Sequence, residues 1–201
     1  AISGRHIALV AKDISPALAR TVADVSGHVV TPGLVDIHAH FYGIIGSVLP
    51  DAHCIPQGTT TAVDAGGSGH LTFDDFNESV INPSIMNIFA LLNIVGEGMS
   101  GGAREQNIED MNPKTTAIVA KQNKDHVVGV KLAHFMGYDW TPTELAVEAG
   151  KLASMPVMID FGGSQPELPL EKLLLEKLRP GDVFTHAYAQ VKGRTPIVDE
   201  T

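Results

Sequence analysis

With 201 residues, 44% hydrophobic and 18% charged, the chain has the composition of an ordinary folded domain and enough apolar material for a core. Its 14 basic and 23 acidic side chains leave a formal charge of -9 and no basic cluster, which argues against nucleic acid or an anionic membrane surface as partner. A single cysteine, Cys54, excludes an internal disulfide. The longest apolar run, 88–95 interrupted by Asn93, falls well short of the roughly 20 residues of a membrane-spanning helix. No secretory pattern opens the sequence, so the cytoplasm is the expected compartment. The first residue is Ala1, and the end, Val198-Asp199-Glu200-Thr201, carries no terminating element; a fragment of a longer polypeptide is expected.

Residues 1–33 hold short β-like runs at 7–10 and 28–30 broken by turn residues, a pattern of hairpins that predicts part of a small accessory β-sandwich. From Pro32-Gly33 onward, apolar strands alternate with helix-like stretches, as in a parallel sheet built of βαβ units. Strands are predicted at 34–38, 60–65, 88–94, 127–132, 156–161 and 183–186. Asn112-Pro113 opens a predicted helix before the fourth of these. Thr141-Pro142-Thr143-Glu144 reads as a capping box for another, with Leu145, Ala149, Leu152 and Ala153 on its apolar face. Leu170, Leu173, Leu174 and Leu178 mark a third helix, ending at Pro180-Gly181-Asp182. The glycine groups Gly66-Gly67-Ser68-Gly69 and Gly96-Glu97-Gly98 read as flexible loops, and neither is followed by the Lys-Ser/Thr of a phosphate loop.

Strand-helix alternation also suits a Rossmann-type sheet, and polar placement helps to choose between the two. His38, His40, Asp64, Asn93, Lys131, Asp160 and His186 all fall near the C-terminal ends of predicted strands, where a (β/α)8 barrel gathers its active site. Such a barrel takes roughly 250 residues. The stretch 34–201 is therefore expected to be an incomplete barrel, truncated after about six strands.

His38 and His40 stand at i and i+2 on a strand, so both imidazoles reach the same side and can bind one ion. Zinc takes imidazole nitrogen readily, as do cobalt, nickel, iron and manganese. A bare His-x-His is equally compatible with two hydrogen-bonded histidines beside a strand. The wider run Val30-Thr31-Pro32-Gly33-Leu34-Val35-Asp36-Ile37-His38-Ala39-His40, however, resembles the first barrel strand of the amidohydrolase superfamily, whose signature is Pro-Gly-x-x-Asp-x-His-x-His. The resemblance continues through Gln57-Gly58-Thr59-Thr60-Thr61-Ala62-Val63-Asp64-Ala65-Gly66, Gly129-Val130-Lys131-Leu132 and Gly181-Asp182-Val183-Phe184-Thr185-His186. Trp140-Thr141-Pro142 and Met155-Pro156-Val157-Met158-Ile159-Asp160-Phe161-Gly162 point to the amidohydrolase/deacetylase metallohydrolase subgroup, dihydroorotase-like in architecture.

The resemblance implies two divalent metal ions, expected to be zinc, held by His38, His40, Lys131, His186 and Asp160. Lys131 ends an apolar strand, where burial disfavours its ammonium form; read alone it could equally be a lysine reaching solvent. By resemblance it becomes N-carboxylated with carbon dioxide and bridges the metals. Asp160 stands where many superfamily members place histidine. It is either a replacement ligand or a group that holds a ligand in place. His134 is then a compensating ligand, a group beside the substrate, or a structural histidine. His6, His28, His53, His70 and His126 carry no ligand reading, and Cys54 is expected to be a packed thiol.

The implied activity is hydrolysis of an amide or ester carbonyl, of deacetylase or amidohydrolase type, through a metal-bridging hydroxide. The partner is a small acylated compound, with neither nucleic acid nor membrane; a homo-oligomer is compatible with this. Family members use an eighth-strand aspartate as proton shuttle, and none of Asp36, Asp182 and Asp199 takes its place. The catalytic aspartate is expected beyond Thr201, and these residues alone are expected to hydrolyse little or nothing. Dihydroorotases carry an arginine two positions after His-x-His, whereas Phe41-Tyr42 follows His40 here. Cyclic amide hydrolysis of dihydroorotase type is thus the alternative, alongside a non-catalytic metal-binding fragment.

Overall fold

The computed structural model describes residues 1–4, 6–160 and 168–188. The chain divides into two compact units after Pro32. In the first, β1 (Ile2–Ser3) and β2 (His6–Ile7) pair antiparallel in the register Ile2↔Ile7 and Ser3↔His6. Both isoleucines are largely exposed, so this hairpin buries no core. The predicted run at 7–10 is strand only at Ile7, and that at 28–30 is not a strand. The His28 N–H closes a local turn on the Val25 carbonyl at 2.9 Å in place of a cross-strand ladder.

The second unit is half of a barrel: six parallel strands in sequential order, β3 (Leu34–Ala39), β4 (Thr59–Gly69), β5 (Asn87–Asn93), β6 (Val127–Leu132), β7 (Val157–Asp160) and β8 (Val183–Thr185). All six predicted strands are present; position 161 of the fifth lies outside the described residues. The period-2 alternation sorts each strand. Ile88, Ala90 and Leu92 of β5 pack into a cluster with Phe73, Phe76, Ala117 and Ala120 from the helical segments. Val130, Leu132, Val157 and Ile159 do the same with Ala146, Val147 and Leu173. The intervening Leu91 and Met158 join Ala65 in a small cluster on the other, helix-free face. Lys131 alternates with Val130 and Leu132 and so belongs to that inner face, as does Asp160, two residues after Met158.

The connections are short α1 (Pro50–Cys54) and α2 (Phe73–Phe76), then α3 (Pro113–Gln122), α4 (Thr141–Ala153) and α5 (Leu170–Lys172), which runs on as a wider turn through Lys177. The Asn112 side chain accepts the N–H groups of Lys114 and Thr115, both at 3.1 Å, so α3 starts as its sequence predicts. The capping box of α4 does not form. Thr141 instead gives its N–H (2.9 Å) and hydroxyl (2.7 Å) to Asp139 Oδ1, and Trp140 is the cap position. The buried face is also shifted: Ala146, Val147, Ala149, Gly150 and Ala153 face the sheet, while Leu152 is 40% exposed. Small residues let α4 lie close to β7, since a Cβ on Gly150 would stand 2.6 Å from Val157 Cγ1.

Gly66-Gly67-Ser68-Gly69 is the buried end of β4 rather than a flexible loop. The reason is close approach. Gly66 has φ +94°, and a Cβ there would lie 2.6 Å from Lys131 Cγ. Gly66→Ala is expected to destabilise the chain by about 2–4 kcal/mol, combining left-handed strain with overlap; urea unfolding measures it, and an unchanged midpoint would show that Lys131 moves aside freely.

Asp182 ties β7 to the turn before β8. It accepts the N–H groups of Val157 (3.0 Å) and Arg179 (2.8 Å) and pairs with the Arg179 guanidinium at 2.7 Å. Burial works to raise its pKa, and Arg179 with these N–H groups outweighs it, leaving Asp182 below the ordinary carboxylate value. Among the described residues, no helix is long and apolar enough to cross a membrane.

Candidate active site

The sheet register brings the predicted residues to one level. Ala39 pairs with Asp64, Asn93 with Lys131, Lys131 with Met158, and Asp160 with Thr185. At this end the His38 ring lies 5.3 Å from that of His40 and 5.0 Å from that of His186, centroid to centroid. His38 Nδ1 meets Thr185 Oγ1 at 2.8 Å, which orients the ring. His40 Nδ1 is buried without a hydrogen-bond partner, an expensive condition for a polar atom. Burial, then the charge of Lys131, lowers the pKa of His40 and favours the neutral imidazole, the form that donates a lone pair. Lys131 is 1% exposed, its Nζ 3.5 Å from Met158 Sδ.

Asp64 fixes the turn that follows His40. This fully buried carboxylate accepts the Phe41 N–H on Oδ2 at 2.7 Å and the Gly67 N–H on Oδ1 at 2.6 Å. Burial pushes its pKa up to about 6, against the opposing pull of backbone N–H groups. Because the folded value lies above the ordinary 3.8, the unfolded chain releases this proton first as pH rises. The Asp64 contribution to stability is therefore largest below about pH 4 and falls between about pH 4 and 6. Unfolding of the native chain against Asp64→Asn across this window is expected to show the difference declining by about 2–3 kcal/mol, then levelling above pH 6.5. A difference that rises with pH would refute it.

Asp160 is 7% exposed, and its Oδ2 faces two imidazoles, His134 Nε2 at 3.5 Å and His186 Nε2 at 3.4 Å. The other ring nitrogen of His134 meets Glu105 Oε2 at 3.1 Å. That hydrogen bond outweighs burial and raises the pKa of His134. Among the described residues, no three His, Cys, Asp or Glu side chains are gathered closely enough to hold a metal ion by themselves. Lys131, which becomes an oxygen donor only when carboxylated, stands outside that count.

The structure thus brings His38, His40, Lys131, Asp160, His186 and His134 to one end of the sheet. His53 lies in α1, and Cys54 is buried with its thiol pKa raised by burial. Thr185 and Glu105 were not assigned from sequence, and Asp64 was placed at a strand end without a role. Thr185 adjoins His186 in the matching motif, and Asp64 is a lone carboxylate in an apolar strand; both are signals that could have been used. Glu105 sits in an irregular loop with no periodicity to single it out.

The chain is similar in sequence to proteins named deacetylase and in fold to a dihydroorotase. No protein-family model matches the chain. It is 33% identical over 186 residues to a protein named deacetylase from Agrobacterium fabrum, covering 88% of the chain and 45% of that protein. A deacetylase from Brucella anthropi is also 33% identical over 186 residues, at 88% and 46% coverage. The fold is similar to that of a dihydroorotase crystal structure, with TM-score 0.70 and 31% identity over 81% of this chain and 45% of that one. An adenine deaminase crystal structure gives TM-score 0.69 at 24% identity, over 86% of this chain and 50% of that one, a likeness of fold alone. The chain spans about half the length of the curated relatives it matches.

Proposed function

We propose that the full-length protein is a metal-dependent hydrolase of deacetylase type, cleaving the amide or ester bond of a small acylated compound. The observation that carries this reading is the buried, unpartnered Nδ1 of His40, set beside a buried lysine and two further imidazoles. The donor set suits a divalent ion, and His38, His40, Lys131, His186 and Asp160 are the residues that would hold two of them, with zinc the first candidate. Bound divalent metals supply an activated water and a Lewis acid for the acyl carbonyl.

The residues of the chain divide the remaining work. His40, kept neutral by burial, offers a lone pair. Thr185 orients His38. Lys131, carboxylated by carbon dioxide, would contribute two oxygens from a position that Gly66 leaves open. The names of the two deacetylase relatives support the acyl substrate. Against a dihydroorotase-like substrate stands Tyr42, two positions after His40. Its hydroxyl donates to Asp75 Oδ2 at 2.6 Å, and burial with that bond pushes its pKa up to about 12. It is no cation for a substrate carboxylate.

The test is a panel of N-acetyl amino acids, acetyl esters and cyclic amides assayed with the full-length protein. Turnover of acetylated compounds, abolished by chelation, is the expected result. Turnover confined to cyclic amides would transfer the protein to the dihydroorotase-like reading, and chelator-insensitive turnover would end the metal reading. The 201-residue chain alone is expected to be nearly inactive in the same assay.

A further inference from the structure

Three non-glycine residues among those described have a left-handed backbone: His134 (φ 56°), Ser154 (φ 59°) and His186 (φ 59°). Ser154 is the C-cap of α4, an ordinary place for that conformation. The two histidines end no helix. Both instead point Nε2 at the same atom, Asp160 Oδ2, at 3.5 and 3.4 Å. Strained backbone of this kind persists only where its surroundings hold it, and it concentrates at functional sites.

What holds His134 is the loop after β5. In the turn Gly102–Gln106, Glu105 is 3% exposed; its Oε1 accepts the Gly101 N–H at 2.9 Å and its Oε2 meets His134 Nδ1 at 3.1 Å. A carboxylate oxygen only accepts, so Nδ1 carries the proton and the ring turns Nε2 toward Asp160. The next residue grips the same segment: Gln106 Nε2 donates to the His134 carbonyl at 2.7 Å, and Gln106 Oε1 accepts the Met136 N–H at 2.9 Å. Two adjacent side chains thus fix both the ring and the backbone of His134. The contacts from the two histidines to Asp160 are ion-pair separations rather than tight hydrogen bonds. A displaced His134 ring would move one of the groups that Asp160 Oδ2 faces.

We propose that Glu105 and Gln106 are positioning residues that act through His134 to fix Asp160 opposite His186. Its consequence for metal binding rests on the metal-site reading above; the relay itself is a property of the chain. The β5 loop and the β6 loop are thereby linked to the end of β7, and a residue outside the ligand set tunes the site.

The test uses full-length protein labelled with 15N-histidine, with the His134 signal assigned through His134→Gln. The native protein is expected to show an exchange-protected Nδ1 proton on His134. Glu105→Leu should lose it, and Glu105→Gln, which keeps an acceptor oxygen, should retain it. Zinc titration of metal-free protein should show affinity lower by about tenfold or more in Glu105→Leu, with stoichiometry unchanged, and near-native affinity in Glu105→Gln. A Glu105→Leu protein with the native ring-proton signal would overturn the relay, and native zinc affinity would overturn its role at the metal. If the native protein takes up no zinc, the metal reading fails, and the ring-proton comparison alone decides the relay. Should Glu105→Leu not fold, Gln106→Leu replaces it, with loss of protection supporting the proposal and full retention opposing it.

Discussion

Under the proposed metal-dependent function, replacing His38 and His40 together by alanine is expected to strip divalent metal from the full-length protein and to lower kcat/KM for an acylated substrate on the order of 10^3-fold or more. That exceeds the roughly 10–100-fold loss typical of removing an outer partner of a ligand. The stability result separates this from simple damage. Truncating a well-packed core side chain costs about 2–5 kcal/mol. His40, however, buries a ring nitrogen with no hydrogen-bond partner, a state that itself costs about 1–3 kcal/mol and that alanine removes. The metal-free double variant, which also gives up the His38–Thr185 hydrogen bond, should therefore lose no more than about 1–2 kcal/mol relative to the native metal-free protein. Loss of activity with stability retained places both histidines at the metal. A variant that keeps its zinc content, measured by elemental analysis, would show that the pair serves only to pack the strand.

β6 was legible because a largely buried parallel strand, here with only Val128 exposed, reads as an unbroken apolar run. Val127-Val128-Gly129-Val130 is such a run, and β6 occupies the predicted 127–132. β4 misled because its last residues are glycines, which in isolation signal a loop. Here the missing Cβ atoms let the strand continue beside Lys131 and the next turn. The α4 cap misled for a different reason: Asp139, two residues before Thr141, captures the groups the capping box would have used.

Site residues were legible in proportion to how local their pattern is. His38 and His40 draw notice by their spacing, and Lys131, Asp160 and His186 by their place at strand ends, but the metal reading of all five came from the family resemblance. Glu105 could not be found either way. It meets His134 across 29 residues of sequence, from an irregular loop with no periodicity to mark it. The left-handed backbone of His134 and His186 is likewise invisible until the chain is folded.

Lys131→Met supplies the other large expected effect: hydrolysis falls on the order of 10^3-fold or more. Methionine matches the length of lysine without its charge, and the surroundings are already suited to it, with Met158 Sδ 3.5 Å from Nζ and Ala65 and Leu91 on the same face. Lys131→Arg should behave differently. A guanidinium can neither lose its charge nor add carbon dioxide, and it is bulkier than an ammonium at a position only 1% exposed, so this variant should be both inactive and destabilised. The carbon dioxide requirement gives a second readout on the native residue. Metal-free full-length protein reconstituted with zinc should recover activity faster and further with bicarbonate present than in carbon-dioxide-free buffer. Equal recovery in both, together with an active Lys131→Met, would reduce Lys131 to a buried lysine of the inner face.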